Sequence, residues 1–170
     1  MDFSPLLERS LLTLGTLAFC AVGYTLMARG WRSRLSRQAD VPAPPVSDGA
    51  ARVLVDWVPG LYVGTTAAGD WLDRIAVHQL SDRATGELCL AEDGVHVLRD
   101  GLPEVFLPRV DLRGATVEQS LAGKIVSTGM LVLTWRLGDR ELATAFRADD
   151  PTAHARLRAA LTALVPLEIS

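Results

Sequence analysis

The sequence has few of the residues that build disulfides and metal centres. Its 170 residues include only two cysteines and three histidines. Cys20 lies in an apolar run and Cys89 in a predicted strand, so the two thiols do not make a disulfide framework, which fits a reducing compartment. None of His78, His96 and His154 stands at metal-ligand spacing from a Cys, Asp or Glu. We therefore predict no metal and no cofactor, with these histidines in strands or on a helix surface.

Catalytic signatures are also missing from the sequence. No G-x-S-x-G elbow positions a serine nucleophile, and Gly114 and Gly123 are isolated glycines rather than a phosphate-binding loop. We predict that the protein is not an enzyme and has no catalytic residues.

Basic charge is scarce after residue 40. From Val41 onward the chain has 12 Lys and Arg against 17 Asp and Glu, a balance of −5 within a total net charge of −3. Nucleic-acid-binding domains normally present a basic face, which an acidic domain lacks. We therefore predict no nucleic-acid partner.

One long apolar run stands near the N-terminus. Ser10 to Ala28 contains 19 residues without a charge, between Arg9 and Arg29. As a helix it would extend about 28 Å, close to the roughly 30 Å hydrocarbon core of a bilayer. A secretory signal peptide and a lipoprotein signal are competing interpretations, but the preceding residues are not basic and Phe19 stands where a lipoprotein signal needs a small residue. We predict a retained transmembrane helix.

A basic segment follows this run and determines the predicted orientation. By the positive-inside rule, its arginines place the C-terminal side in the cytoplasm and the N-terminus outside, in the plasma (inner) membrane. A tryptophan in the segment is expected at the membrane interface; recognition of anionic headgroups is the alternative role of the arginines. The predicted membrane-interface residues are Trp31, Arg29, Arg32, Arg34 and Arg37.

Composition divides the chain into segments. Pro42, Pro44 and Pro45 favour an extended polyproline geometry and predict a semi-stiff linker. After Arg52, short apolar runs alternate with turn signals. The predicted organisation is a short head at 1–9, a transmembrane helix at 10–28, a basic juxtamembrane segment at 29–40, a Pro-rich linker at 41–51 and one folded domain at 52–170.

The folded domain has the signals of antiparallel strands. Glu92-Asp93-Gly94 predicts a hairpin turn between two strands, 87–91 and 95–99. A second hairpin is predicted for 131–136 and 141–147, with Gly138 supplying the positive φ of the turn. Further strands are predicted at 61–65, 104–107 and 111–118. The apolar residues of 71–80 match neither the helical nor the strand periodicity cleanly. No βαβ alternation competes with this pattern.

The C-terminal residues predict a single amphipathic helix. Asp149, Asp150 and Pro151 form a start signal, with aspartate as the cap and proline at the first helical position. Leu157, Leu161 and Leu164 form an apolar stripe, and His154, Arg156 and Arg158 are expected to point away from it. About seven strands followed by one helix indicate a mainly β barrel or sandwich capped by a C-terminal α-helix.

Several short strings carry a resemblance to a known family: 62–66 (YVGTT), 69–75 (GDWLDRI), 111–115 (DLRGA), 122–124 (AGK), 133–139 (LTWRLGD) and 146–149 (FRAD). The chain resembles actinobacterial single-pass membrane proteins with a bacterial pleckstrin-homology-like (PH-like) domain, often labelled export or membrane proteins or transporters. The resemblance covers residues 1–170, and the linker is the part least similar to the family. It implies a PH-like barrel after one transmembrane helix, a setting among pyrimidine-biosynthesis genes, and no enzymatic residues.

Two candidate binding regions follow from the PH-like interpretation. PH domains that bind phosphoinositides use a basic loop after the first strand, but here that loop, 66–70, contains no cation. Arg109, Arg113 and Lys124 define a small candidate lipid- or partner-binding edge, unless they pair with nearby acids. We expect Trp71 and Trp135 to pack in the core, whereas Trp57 is a candidate for contact with the membrane or a partner.

These observations favour a membrane-anchored binding or scaffold module that recruits a protein partner to the cytoplasmic face without catalysis. The partners predicted are the membrane, through one helix, and a protein. The alternatives are an anionic-lipid-sensing domain and an accessory subunit of a membrane transporter.

Overall fold

A computed structural model describes residues 4–121 and 124–164 of the chain. It has two compact units, residues 1–39 and 40–170. Its elements are α1 (Ser4–Arg37), β1 (Val53–Ala67), β2 (Asp70–Arg74), β3 (Ala84–Ala91), β4 (Gly94–Arg99), β5 (Leu102–Pro108), β6 (Leu112–Leu121), β7 (Lys124–Leu137), β8 (Arg140–Ala148) and α2 (Pro151–Leu164). Short 3₁₀ turns lie at Val77–Gln79 and Arg109–Asp111.

The first unit is a single helix. α1 has 34 residues and therefore includes residues 4–9 of the predicted head and residues 29–37 of the basic segment. Within it, Arg9–Arg37 is long and apolar enough, by length and composition, to cross a membrane. Large apolar side chains such as Leu12, Phe19 and Tyr24 are exposed on this helix. One apolar N-terminal helix could therefore span a bilayer.

The second unit is built on one antiparallel sheet. Seven strands follow the order β5-β4-β3-β1-β8-β7-β6, and β2 pairs with the end of β1. β1 is the central strand, with 15 residues and register shifts between Val53 and Val55, Val55 and Val58, and Tyr62 and Gly64. Such irregularities bend a strand and increase its twist, which lets one sheet curve around a core.

Alternating side chains explain which face of this sheet becomes the core. Leu142, Thr144, Phe146 and Ala148 of β8 are buried, and the residues between them are partly exposed. Successive side chains of a strand point to opposite faces, so each strand supplies one apolar row. Together with Trp135 of β7 these rows fill the concave side.

The predicted turns and C-terminal helix are confirmed. Residues 92–93 join β3 to β4 in register, with Ala91 opposite Gly94. β7 and β8 meet at Leu137 and Arg140, and Gly138 has φ +61° in the turn between them. Asp150 Oδ2 accepts a hydrogen bond of 2.8 Å from the backbone N–H of Ala153, which is the expected cap.

α2 covers the core with the predicted leucine stripe. Leu157 and Leu161 are fully buried, and the helix packs on β1, β6, β8, β3 and β7. The fold is thus mainly β, with an antiparallel sheet, a C-terminal helix and an N-terminal helix, and it fits a PH-like fold.

The predicted linker, 41–51, contacts the domain at its start and near its middle. Val41 is 3% exposed and belongs to the core cluster. Its carbonyl accepts a 2.9 Å hydrogen bond from His78 Nε2, and Ser47 Oγ donates to Asp93 Oδ2 at 2.8 Å. The proline content predicted a semi-stiff linker but not these contacts, because long-range contacts leave no local pattern in the sequence.

The prediction that His154 lies on the helix surface is wrong. His154 is 7% exposed, and neither of its ring nitrogens has a hydrogen-bond partner among the described residues. Burial, followed by the nearby charge of Arg158, lowers the pKa of this imidazole. Leu157 and Leu161 follow it at three and seven residues, which places it on the apolar stripe. The neutral ring therefore packs as an apolar side chain.

This burial predicts an acid-sensitive domain. Since the folded-state pKa of His154 lies below its unfolded value of about 6.5, the unfolded state takes up the proton first and stability falls as pH drops below that value. H154L should raise the free energy of unfolding by about 1 kcal/mol or more at pH 5, because it removes two unsatisfied nitrogens. Urea unfolding of the full chain in detergent at pH 5 and 7.5 measures both quantities. Equal pH dependence in the wild type and H154L would contradict the prediction.

Candidate functional site: the Trp71 groove

An apolar groove lies where the β1–β2 hairpin rises over the outer face of the sheet. It has a volume of about 290 Å³. Ala143 and Ala145 of β8, Val63 of β1 and Val132 of β7 contribute to its floor, and Trp71 contributes to its wall. We call this feature the Trp71 groove.

The wall is positioned by a short hairpin. Ala67 lies opposite Asp70 in the β1–β2 register, and Asp70 Oδ1 accepts a 3.0 Å hydrogen bond from the Leu72 backbone N–H. After β2, the N–H of Ile75 donates to Thr65 O at 3.0 Å, and Ile75 is fully buried. The hairpin is therefore held at both ends, with Trp71 and Leu72 exposed between them.

The floor follows from the alternation in β8. Leu142, Thr144 and Phe146 point into the core, so Ala143 and Ala145 point outward. Two alanines on adjacent outward positions leave a depression beside larger neighbours, because their side chains end at Cβ. The groove is consequently a property of the rigid sheet rather than of a loop.

Arg74 secures the inner end of the hairpin. Its Nη2 donates to the carbonyl of Val63 at 2.9 Å and to that of Ser81 at 2.5 Å. These bonds connect β2 to β1 and to the segment that follows the 3₁₀ turn. The positive charge nearest to the groove is thus bound to backbone carbonyls of the domain.

Exposed acids flank the wall. Asp70 and Asp73 are both exposed, on either side of Trp71 and Leu72. Negative charge at this position opposes anionic headgroups, in agreement with the absence of a cation from the 66–70 loop. Asp70 lines the groove together with the carbonyl-bonded Arg74, and Asp73 lies next to the lining along β2. We call the two exposed carboxylates the acidic rim.

One of the two tryptophans that were predicted to lie in the core is exposed instead. Trp135 is fully buried, as expected, but Trp71 is 51% exposed, so the prediction that it packs in the core is wrong. It lies in a strand that pairs only with β1, and no second layer covers its outer face within the described residues. Trp57 is partly exposed, with its ring at 6.4 Å from that of His96.

The predicted basic edge lies away from the groove lining. Arg109 is exposed in the 3₁₀ turn after β5, and Arg113 Nη1 donates to the carbonyl of Val110 at 3.1 Å. Neither arginine forms an ion pair among the described residues. The side chain of Lys124 lies outside the described part of the chain. The three-residue edge stays a prediction.

The predicted membrane-interface residues lie on α1. Trp31, Arg29, Arg32 and Arg37 are exposed on this helix, and the side chain of Arg34 is outside the described residues. Their role at a bilayer remains a prediction. Across the described residues, no cluster of His, Cys, Asp and Glu forms a group that could hold a metal ion.

Sequence reasoning identified neither the groove nor its floor. Its clearest local signal was the pair Ala143 and Ala145, which alternate with large core residues in a confidently predicted strand. The contribution of Val132 depends on strand register, which pairs it with Ala145.

The bent antiparallel sheet closed by a C-terminal helix defines a PH-like domain, a class whose members are generally non-catalytic binding modules. Residues 38–162 match the family described as bacterial PH domain-like, and the chain belongs to that family. No curated protein matches the chain. Together with its apolar N-terminal helix, the PH-like domain is consistent with a membrane-associated module.

Proposed function

We propose that this protein is a membrane-anchored, non-enzymatic binding module that recruits a protein partner through the Trp71 groove. α1 crosses the inner membrane with its N-terminus outside, and the PH-like domain lies in the cytoplasm. The observation that carries the proposal is the exposed Trp71 over a preformed apolar floor. Exposed tryptophans beside apolar depressions are typical anchors of protein interfaces.

The free edge of β2 specifies the form of the partner. β2 pairs with β1, and no other described strand occupies its second edge. An extended peptide can add to such an edge through backbone hydrogen bonds while a side chain fills an adjacent pocket. The Trp71 groove would then accept an apolar side chain of that peptide.

The acidic rim specifies the charge of the partner. Asp70 and Asp73 favour a lysine or arginine next to the apolar anchor, since opposite charges at the rim of an interface speed and orient association. A protein segment can carry both features, whereas an anionic membrane surface offers the wrong charge. Protein recognition is therefore the better-supported function of this site.

Site-specific photocrosslinking of the full chain in intact cells tests the proposal. A photoreactive amino acid at position 72 should give discrete protein adducts, and the same probe at Leu98, which is exposed on β4 but outside the groove lining, should not. W71A should reduce the adducts at position 72 by about tenfold or more, as loss of an interface anchor does. D70K should reduce them by a smaller factor.

Three outcomes would contradict the proposal: adducts with lipid only, equal protein adducts at positions 72 and 98, or adducts that W71A leaves unchanged. Lipid adducts that depend on Arg29, Arg32 and Arg37 would instead favour the anionic-lipid-sensing alternative.

A further inference from the structure

A second cavity lies between the Pro-rich segment and the β4–β5 hairpin. Its volume is about 330 Å³, which is within the range of small-molecule sites. Residues 43–46 form one wall, and Phe106 and Pro103 contribute to the other. Pro44 and Pro45 make the first wall apolar. We call this the Arg99 cavity, after the charged side chain that lines it.

The outer wall is fixed at both ends of the Pro-rich segment. Before the wall, the guanidinium of Arg140 donates to both carboxylate oxygens of Asp40 at 3.0 and 2.9 Å, and Val41 is buried. After the wall, Ser47 bonds to Asp93. A proline-containing wall held at two points keeps its shape, so the cavity is preformed.

Arg99 is buried in this cavity, and no described residue forms an ion pair with it. The residue is 5% exposed, and its guanidinium carbon lies 4.8 Å from the centre of the Tyr62 ring. No carboxylate of the described residues lies within 4.0 Å of it. Burial is the main factor that lowers the pKa of this guanidinium. A buried cation without an acidic partner is costly and favours binding of an anion.

The guanidinium also has hydrogen-bonding capacity to spare. Nε and Nη2 donate to the carbonyl of Pro103 at 2.9 and 2.7 Å, and Nη1 donates to the carbonyl of Gln79 at 2.6 Å. These bonds occupy three of the five N–H donors that an arginine carries. Within the described chain, the remaining two have no acceptor, and two donors match the two oxygens of a carboxylate.

Backbone strain is concentrated at the same cavity. His78 and Gln79 both have φ +56°, a left-handed conformation that is uncommon for residues other than glycine, although asparagine, aspartate and histidine adopt it more often than the rest. Both residues line the cavity, and the carbonyl of Gln79 is one of the acceptors of Arg99. Strained backbone that positions a charged group is characteristic of ligand sites.

The charges around the cavity select for a monoanion. Arg99 is the one described guanidinium in the lining, while Glu104 also lines it and contacts His96 Nδ1 at 2.9 Å. A dianionic phosphate would face that carboxylate with only one full positive charge opposite. The apolar rings of Phe106, Pro44 and Pro45 suit a flat, uncharged body.

We propose that the Arg99 cavity binds a small monocarboxylate with a flat apolar body, the carboxylate resting on the free N–H donors of Arg99. The site is independent of the Trp71 groove. The ligand that we propose for this cavity is a small molecule and not a protein partner.

Benzoate and its uncharged analogue benzamide test this proposal on the full chain in detergent micelles. Saturable benzoate binding by calorimetry, at least about tenfold tighter than benzamide binding, is expected. R99M should abolish the preference for benzoate, because it keeps an apolar side chain of similar length and removes the charge. R136M changes an exposed arginine of β7 that lies outside the cavity lining, and it should bind benzoate as the wild type does.

A43W provides a second variant if R99M does not fold. Ala43 lines the outer wall, so a large ring there should occlude the cavity and weaken benzoate binding about tenfold or more while leaving Arg99 in place. Absence of saturable benzoate binding, equal binding of benzoate and benzamide, or benzoate binding that A43W leaves unchanged would each overturn the proposal.

Discussion

W135A is expected to reduce the free energy of unfolding by about 3–5 kcal/mol, which is the usual range for truncation of a buried tryptophan. Trp135 is fully buried among core side chains contributed by β1, β8 and α2. Domains of this size are stable by about 5–15 kcal/mol, so this single change removes much of the stability.

A hydrogen-bonded chain adds to this cost. Trp135 Nε1 donates to Thr144 Oγ1 at 2.9 Å, and Tyr62 Oη donates to the carbonyl of Leu80 at 2.7 Å. Thr65 Oγ1 lies between them, at 2.7 Å from both Thr144 Oγ1 and Tyr62 Oη. Because Tyr62 gives its one proton to Leu80, each threonine must donate toward Tyr62, so all hydroxyls point in one direction.

This chain of hydrogen bonds explains how the Tyr62 hydroxyl can be buried in the core, because its hydrogen bonds offset the cost of removing it from water. Burial, the largest factor, raises the pKa of Tyr62 to about 12, so the phenol stays neutral and can donate. Removal of Trp135 takes away the first donor and leaves an acceptor site on Thr144 unfilled.

The matched control is W71A, which removes the same side chain from an exposed strand. It should change the free energy of unfolding by no more than about 1 kcal/mol, since the side chain is half exposed. Urea unfolding of the full chain in detergent, followed by the β-sheet circular dichroism signal, measures both variants. Equal losses of stability in W135A and W71A would contradict the assignment of Trp71 to a surface groove.

The turns and the C-terminal helix could be predicted because their signals are local. Gly138 between two alternating runs, and Asp150 before Pro151, identify a turn and a helix start within a few residues. Alternation in 141–147 also gives the inward face. The mainly β fold with a closing helix therefore follows from sequence.

Both sites required long-range information. Trp71 has the same local pattern as a core residue, and only the pairing of β2 with β1 shows that no described element covers it. Arg99 obtains its hydrogen-bond acceptors from residues 4 and 20 positions away. Val41 packs in a core that is otherwise built from residues 58 onward, so the proline-rich segment predicted as a semi-stiff linker also forms a cavity wall.

His154 illustrates the converse error. Its polarity favoured the solvent side of α2, but its helical position coincides with the stripe formed by Leu157 and Leu161. When hydrophobic periodicity and residue polarity disagree at one helical position, the periodicity predicts which face is buried. The polarity of the residue then indicates the free-energy cost of burying it.

G94A is expected to have an effect as large as that of W135A, although it adds only one carbon. A Cβ at Gly94 would lie 2.1 Å from the backbone carbonyl oxygen of Leu107, and the residue has φ +156°. The obstacle is the neighbouring strand itself, which a side-chain rotation cannot relieve. We expect a loss of at least about 3 kcal/mol through separation of β4 from β5 at this end.

G101A is the matched control for this prediction. Gly101 also has a positive φ, +73°, but apart from its two chain neighbours no described residue has an atom within 4 Å of the position of the added Cβ. It should cost about 1 kcal/mol, the strain of a left-handed alanine alone. Hydrogen exchange of the full chain in detergent separates the two variants, since G94A should expose the β4–β5 amides and G101A should leave them protected. Because β4 and β5 carry Arg99 and Phe106, G94A should also abolish benzoate binding, whereas protection of β4–β5 in G94A would show that the sheet can absorb the added carbon.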